Sequence, residues 1–274
     1  YTKKEVEGKP HNIVRHPDMP KEMFKTMWQT IKRGQTWRGT IKNKTKNGGF
    51  YWTDAVVTPI YNTGGHIEGY ISIRRDITEL MNSKNELEYR ANYDQLTGLK
   101  NRTKLHADLA KMSHPALVLI NIDRFSQIND FYGHGFGDKL LKAFGRKLYE
   151  KFSSMCVHEF TLYRYGGDEF ALLVQEYDKK RLTDGVERIL QDLENTAINV
   201  QDKMLNLNLS SGIAFEDAHD ALLSADMALK LSKKEKRSPV VYSRQNSLEK
   251  QYENNLLWAA KLKTAIEEDR VVPF

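Results

Sequence analysis

The stretch Arg164-Tyr165-Gly166-Gly167-Asp168-Glu169-Phe170 constrains this chain more than any other. Two short apolar runs, Phe160 to Tyr165 and Phe170 to Val174, flank its Gly-Gly pair. Glycine accepts positive φ in a tight turn without strain, so the segment reads as a β-hairpin. Two adjacent carboxylates follow the turn. Oxygen ligands at the tip of a rigid hairpin suit a hard divalent cation, and bare glycines let a phosphate or a purine come close to the backbone. A plain structural turn is the competing reading of the hairpin taken alone.

Upstream, the apolar run Ala116 to Ile122, entered from His114-Pro115, reads as a buried central strand ending in Asn121-Ile122-Asp123-Arg124-Phe125. Side chains 121 and 123 share one face of such a strand. Beside the hairpin, that end brings Asn121 or Asp123 next to Asp168. Two further segments complete the pattern: Asp94-Gln95-Leu96-Thr97-Gly98-Leu99, and Asn129-Asp130-Phe131-Tyr132-Gly133-His134 with Gly137-Asp138. In this order and spacing, residues 91–244 closely resemble the GGDEF family of diguanylate cyclases.

The resemblance implies an α+β, palm-like nucleotidyl cyclase fold that condenses two GTP into cyclic di-GMP with release of pyrophosphate, each domain of a homodimer supplying half the site. It assigns Mg²⁺ or Mn²⁺ to Asp168, Asn121, Asp123 and the Ile122 carbonyl. Asp168, Glu169 and Asp123 form the catalytic acidic site. Asn129 and Asp138 take guanine, Phe125, Gly166 and Gly167 border the nucleotide, and Lys233 and Arg237 hold phosphate. The chemistry is coherent, because a triphosphate needs cationic neutralisation and magnesium favours carboxylate and phosphate oxygens. Elsewhere the Lys233-Lys234-Glu235-Lys236-Arg237 run would be an ordinary solvated helix end.

Three positions depart from the family pattern. Asn121 stands where the family usually has a metal-binding Asp. Two unit charges about 4 Å apart interact by roughly 4 kcal/mol at an effective dielectric near 20, so losing one anion weakens the hold on a dication. The amide oxygen of Asn121 and the carboxylate of Asp123 offset part of that loss. Ser126 replaces a frequent phosphate-contacting lysine. Val157 and Phe160 occupy the Arg-x-x-Asp positions used for product inhibition, so feedback through that motif is not expected.

Length and charge divide the rest. The 274 residues suffice for two ordinary domains. Residues 1–78 hold 14 Lys/Arg against 7 Asp/Glu, and the remainder 28 against 29. The net charge of +6 therefore belongs to the front module, where a solvated basic face explains it and no nucleic-acid signature accompanies it. No run approaches the ~20 apolar residues of a membrane helix. The single cysteine, Cys156, rules out an internal disulfide and suits a reducing cytoplasm, where the expected location lies.

In the front module, Met23, Phe24, Met27, Trp28 and Ile31 recur at helical spacing up to Gly34. Strand-like runs Trp37 to Asn43, Phe50 to Ile60 and His66 to Arg75 follow, separated by Gly-Gly turns. A helix-bearing loop and three antiparallel strands over residues 1–78 resemble the later part of a PAS domain. His16-Pro17-Asp18-Met19-Pro20, Trp28, Trp37 and Tyr51-Trp52 are similar to the aerotaxis-receptor type, which implies FAD with Arg15, His16 and Asp18 as contacts and tryptophans around the pocket. The alternative is that aromatics fill the core and the loop caps the helix.

Ile77, Leu80, Lys84, Leu87 and Ala91 form a two-heptad seam in the connector 77–92, with 79–92 readable as a coiled-coil signalling helix or as an amphipathic linker. Residues 245–274 read as an amphipathic helix resembling the lead-in to an EAL phosphodiesterase domain, so a downstream EAL domain is an expected partner. A helix packing on its own domain is the alternative.

Overall fold

In a computed structural model the described residues are Thr2, Glu5, Glu7 and Gly8, then 11–154, 160–175, 177–243 and 264–266. The tail helix is covered only at 264–266, which are helical, and Cys156 lies outside the described residues. The chain divides into two units, Tyr1–Tyr89 and Arg90–Phe274.

In the first unit, helix α1 (Lys21–Lys32) precedes strands β1 (Trp37–Lys44), β2 (Phe50–Tyr61) and β3 (Ile67–Asp76). The strands form an antiparallel sheet in the order β1-β2-β3. Both expected turns form, with Gly48 and Gly65 at φ 84° and 78°. Thr53, Ala55, Val57 and Pro59 of β2 are buried while their neighbours are not, the period of two that puts one face of a sheet on a core. That core is Ile31, Trp37, Ile41, Ala55 and Val57, with Met23, Phe24 and Met27 from the apolar stripe of α1. Trp28, expected around a pocket, is 46% exposed and packs edge-to-face with Tyr70, because it stands off the 23–27–31 stripe. The connector is helical as α2 (Thr78–Asn92), opened by Asp76 accepting from the Thr78 backbone N–H and hydroxyl at 2.9 and 2.6 Å. Leu80 and Leu87 of its seam are exposed.

The second unit is built on a six-stranded sheet ordered β11-β10-β5-β7-β6-β4. Its strands are β4 (Lys100–Asn101), β5 (Ala116–Ile122), β6 (Phe160–Gly166), β7 (Glu169–Val174), β10 (Leu209–Ala214) and β11 (Val240–Val241). β8 (Ile198–Val200) and β9 (Lys203–Leu205) pair separately. The helices are α3 (Arg102–Leu109), α4 (Phe125–Tyr132), α5 (His134–Ser154), α6 (Lys179–Asn195) and α7 (Ala218–Glu235). Every residue of β5 is buried. Val118, Ile120 and Ile122 enter a core with α5 and α6, and Leu117 and Leu119 enter another with α3 and α7. A strand covered on both faces therefore reads as a continuous apolar run. The α+β reading holds.

Several boundaries differ from expectation. Apolar spacing reads about Arg102 to Met112 as one helix, but α3 ends at Leu109. Leu140, Leu141, Phe144 and Leu148 read as a helix after Gly137, but α5 already starts at His134, and a separate helix, α4, occupies the segment before it. The alternation from Met204 to Ala214 reads as a single half-buried strand, but the segment holds two strands in different sheets, β9 and β10. Alternation through Leu205, Leu207 and Leu209 cannot reveal a change of sheet, and β10 is buried on both faces, not one.

Candidate active site

The hairpin is held from behind. Arg164 donates to the Gly167 carbonyl from Nε and Nη2 at 3.2 and 2.8 Å, and from Nη1 to both Asp94 oxygens at 3.0 and 3.1 Å. Asp94 also accepts from the Thr97 backbone N–H and hydroxyl at 2.8 and 2.7 Å. Burial works to raise the Asp94 carboxyl, but these donors outweigh it and hold the group below the usual carboxylate range. Gly167, at φ 51°, makes the turn.

Sheet register supplies the floor. Asn121 of β5 lies opposite Glu169 of β7 on one side and opposite Ser210 of β10 on the other. The Ile122 N–H donates to the Asp168 carbonyl at 3.3 Å, which ties the strand end to the hairpin. Beyond it, the Asp123 N–H donates to the Asn208 carbonyl at 2.9 Å, and the Ser210 hydroxyl lies 2.8 and 3.0 Å from the two Asp123 carboxylate oxygens. Burial raises the Glu169 carboxyl, and Lys233, with Nζ 4.0 Å away, opposes that shift.

Two glycines let helices approach. A Cβ at Gly212 would overlap the Ala225 carbonyl oxygen and the Leu229 nitrogen, so only glycine lets α7 lie this close to β10. That contact brings the end of α7 to the floor; the helix closes at Lys236, at φ 53°. At Gly137 a Cβ would overlap Asn129 Oδ1, so the Asn129 side chain rests on a bare backbone.

These parts enclose a cleft of about 1190 Å³. From the expected site it gathers Asn121, Asp123, Phe125 and Asn129 from one segment, Gly167 and Asp168 from the hairpin, and Lys233 and Arg237 from α7 and its exit. Asp138, expected beside Asn129 at guanine, is exposed on α5 and outside this lining. Gly166 is exposed, Ile122 is buried behind the floor, and Glu169 is half-buried beside Lys233. Sequence reasoning missed Ser210, Lys236, Ser238 and a wall of α6 formed by Glu187, Gln191 and Glu194. The spacing 187, 191, 194 marks one helix face, but nothing local says what that face looks into.

Three buried side-chain polar atoms lack a partner among the described residues, and two of them, Asn129 Oδ1 and Ser238 Oγ, belong to this lining. Buried polar groups are normally satisfied, so their concentration here points to a polar ligand. No three His, Cys, Asp or Glu residues are grouped to hold a metal ion among the described residues. Asp123 and Asp168, with the Asn121 amide and backbone carbonyls, fit a magnesium-like ion that is completed by substrate phosphates, the usual arrangement for that ion.

In the first unit, the three residues expected at a flavin engage the protein itself. The Arg15 guanidinium lies 4.1 Å from the centroid of the Phe24 ring and donates to the Met19 carbonyl at 3.1 Å. The His16 ring meets the edge of Phe50. Asp18 accepts from Lys42 Nζ at 2.7 Å, which lowers its pKa.

The diguanylate cyclase GGDEF domain family matches residues 91–239, and the PAS fold matches residues 1–74. The chain belongs to the GGDEF family. The aerotaxis receptor of Escherichia coli K12 is 51% identical over 79 residues, which are 29% of this chain and 15% of the receptor. The diguanylate cyclase VdcA of Vibrio cholerae is 31% identical over 127 residues, 45% of this chain and 36% of VdcA. The cyclic di-GMP phosphodiesterase PdeB of Shewanella oneidensis is 25% identical over 261 residues, 92% of this chain but 30% of PdeB. The chain thus spans well under half of each relative. A solved coiled-coil and GGDEF segment of DgcB from Caulobacter crescentus aligns at TM-score 0.51 and 23% identity, covering 61% of this chain and 92% of that one, a likeness of fold. Among the described residues no helix is long and apolar enough to cross a membrane.

Proposed function

We propose that this GGDEF domain binds GTP in the cleft and, as a pair of chains, condenses two GTP into cyclic di-GMP with release of pyrophosphate. The observation that carries this reading is the meeting of Asp123 and Asp168 with Lys233 and Arg237 in one cleft large enough for a nucleoside triphosphate. Lys233 and Arg237 bind the triphosphate, and Asn129 takes the base. Glu169, whose proton affinity is raised by burial, accepts the proton as the 3′-oxygen attacks the α-phosphorus and pyrophosphate departs. Mg²⁺ or Mn²⁺, when bound with the substrate at Asp123, Asp168, Asn121 and the Ile122 carbonyl, supplies charge neutralisation. Pairing along the α2 seam, where Leu80 and Leu87 are exposed, brings two half-sites together, and GTP supply places the reaction in the cytoplasm. The PAS unit is the sensory input, with FAD as its candidate ligand, checked by the visible absorption spectrum of the purified chain.

A second reading is favoured by Asn121 and by the match to PdeB along nearly the whole chain: a GTP-binding domain with little turnover that controls a downstream EAL phosphodiesterase. Incubating the purified chain with GTP and Mg²⁺ or Mn²⁺ separates the two. Accumulation of cyclic di-GMP and pyrophosphate supports the cyclase; saturable GTP binding without product supports the regulator.

A further inference from the structure

We propose that a second cavity of the cyclase unit, about 640 Å³, binds a nucleoside phosphate, with the phosphate on Lys142 and Arg146 and the base against Tyr149. It lies between the 95–99 loop and the outer face of α5, away from the cleft described above. Its size falls within the range of small-ligand sites. Lys142 and Arg146 stand one helical turn apart, both exposed, and neither forms an ion pair among the described residues. No Asp or Glu lines the cavity. Two uncompensated cations at one opening favour an anion, and the planar guanidinium fork matches phosphate oxygens. Tyr149, 53% exposed, offers a ring face that stacks with any base. Leu96 and Leu99 supply the apolar wall, and Gly145 lets that wall pack against α5, since a Cβ there would press on Leu99 Cδ1 and Phe170 Cε1, each at 3.2 Å.

The loop leads directly to the acidic hairpin. The Asp94 N–H donates to the Leu99 carbonyl at 2.8 Å, and the Asp94 carboxylate holds the guanidinium of Arg164 that in turn holds the Gly167 carbonyl. A ligand that fixes residues 95–99 therefore stiffens the support behind Asp168. Binding at this site is independent of the cyclase reading; its effect on turnover rests on that reading.

The test is hydrogen–deuterium exchange on the full chain with guanosine 5′-monophosphate or adenosine 5′-monophosphate, and with inorganic phosphate and guanosine in parallel. Both nucleotides are expected to protect 95–99 and 142–149, phosphate to do so more weakly, and guanosine not at all. The double variant Lys142→Gln, Arg146→Gln should weaken that protection about tenfold or more at an unchanged thermal midpoint, and Tyr149→Leu should erase the advantage of nucleotides over phosphate. Protection confined to 121–129 and 166–169, or equal affinity in the double variant, overturns the site. Phosphate binding as tightly as the nucleotides overturns the base contact. Each readout is of binding, so a chain without turnover tests the site equally well.

Discussion

At the floor of the cleft, Asn121 and Ser210 are 3% and 4% exposed, Glu169 is the cross-strand neighbour of Asn121, and Asp123 is fixed by the Ser210 hydroxyl. At the rim, Lys233, Lys236 and Arg237 are exposed on the last turn of α7 and just beyond it. Floor positions are set by sheet register, so their order is established when the domain folds. Rim cations lose as much as about 2 kcal/mol of side-chain freedom each only when a ligand arrives. The difference teaches a division of labour: substitutions in the floor alter chemistry and folding, and substitutions in the rim alter affinity.

The largest break in that comparison comes from Asp168→Ala. It removes a hairpin carboxylate whose backbone carbonyl still accepts from the Ile122 N–H. Initial rates of cyclic di-GMP formation should fall about a hundredfold or more, with the thermal midpoint nearly constant. A variant that keeps its rate would remove Asp168 from the chemistry.

Gly212→Ala couples floor and rim. The new Cβ would overlap the backbone of α7 at Ala225 and Leu229 and lie 2.8 Å from the Ala228 carbonyl carbon, and a helix backbone cannot rotate aside as a side chain can. Unfolding by denaturant should show a loss of about 1–3 kcal/mol. The KM for GTP should rise too, because the displaced helix carries Lys233. A stable variant with unchanged KM would show that α7 slides freely on β10.

The floor was legible in the sequence because its signals are local: glycines at a turn, a run buried on both faces, and carboxylates at fixed offsets from both. The strands of the first unit were legible for the same reason, with Gly-Gly turns bounding alternating runs. What was not legible arises from pairing at a distance. Ser210 meets Asp123 across 87 positions of sequence only because β10 lies beside β5. The α6 wall and Ser238 enter through helix packing, and the break at 206–208 separates two sheets that share one alternating pattern.

Asn121→Asp sharpens the contrast from the floor side. It places a carboxylate beside Glu169 in a buried row, and like charges across a strand pair repel. Without divalent cations the variant should lose about 1 kcal/mol of stability, and titration with Mg²⁺ should restore it at lower concentrations than affect the parent. A midpoint that ignores Mg²⁺ would mean that residue 121 does not face the cation.

The smallest expected effect isolates the electrostatics of Glu169, whose carboxyl is raised above 4.5, chiefly by burial and despite the opposing Lys233. Well below the ordinary carboxylate range the group is protonated in the folded and unfolded chains alike, and burial carries no penalty. As the pH rises from the ordinary carboxylate range through the raised folded value, the unfolded chain ionises in water before the folded chain ionises its desolvated carboxyl, so stability is lost across that window. Glu169→Gln cannot ionise. Its thermal midpoint should coincide with the parent's well below the ordinary carboxylate range and exceed it slightly near neutrality, while cyclic di-GMP formation is lost. Midpoints that run parallel across the whole range would mean that Lys233 cancels the burial penalty, placing Glu169 with the solvated rim and not with the floor.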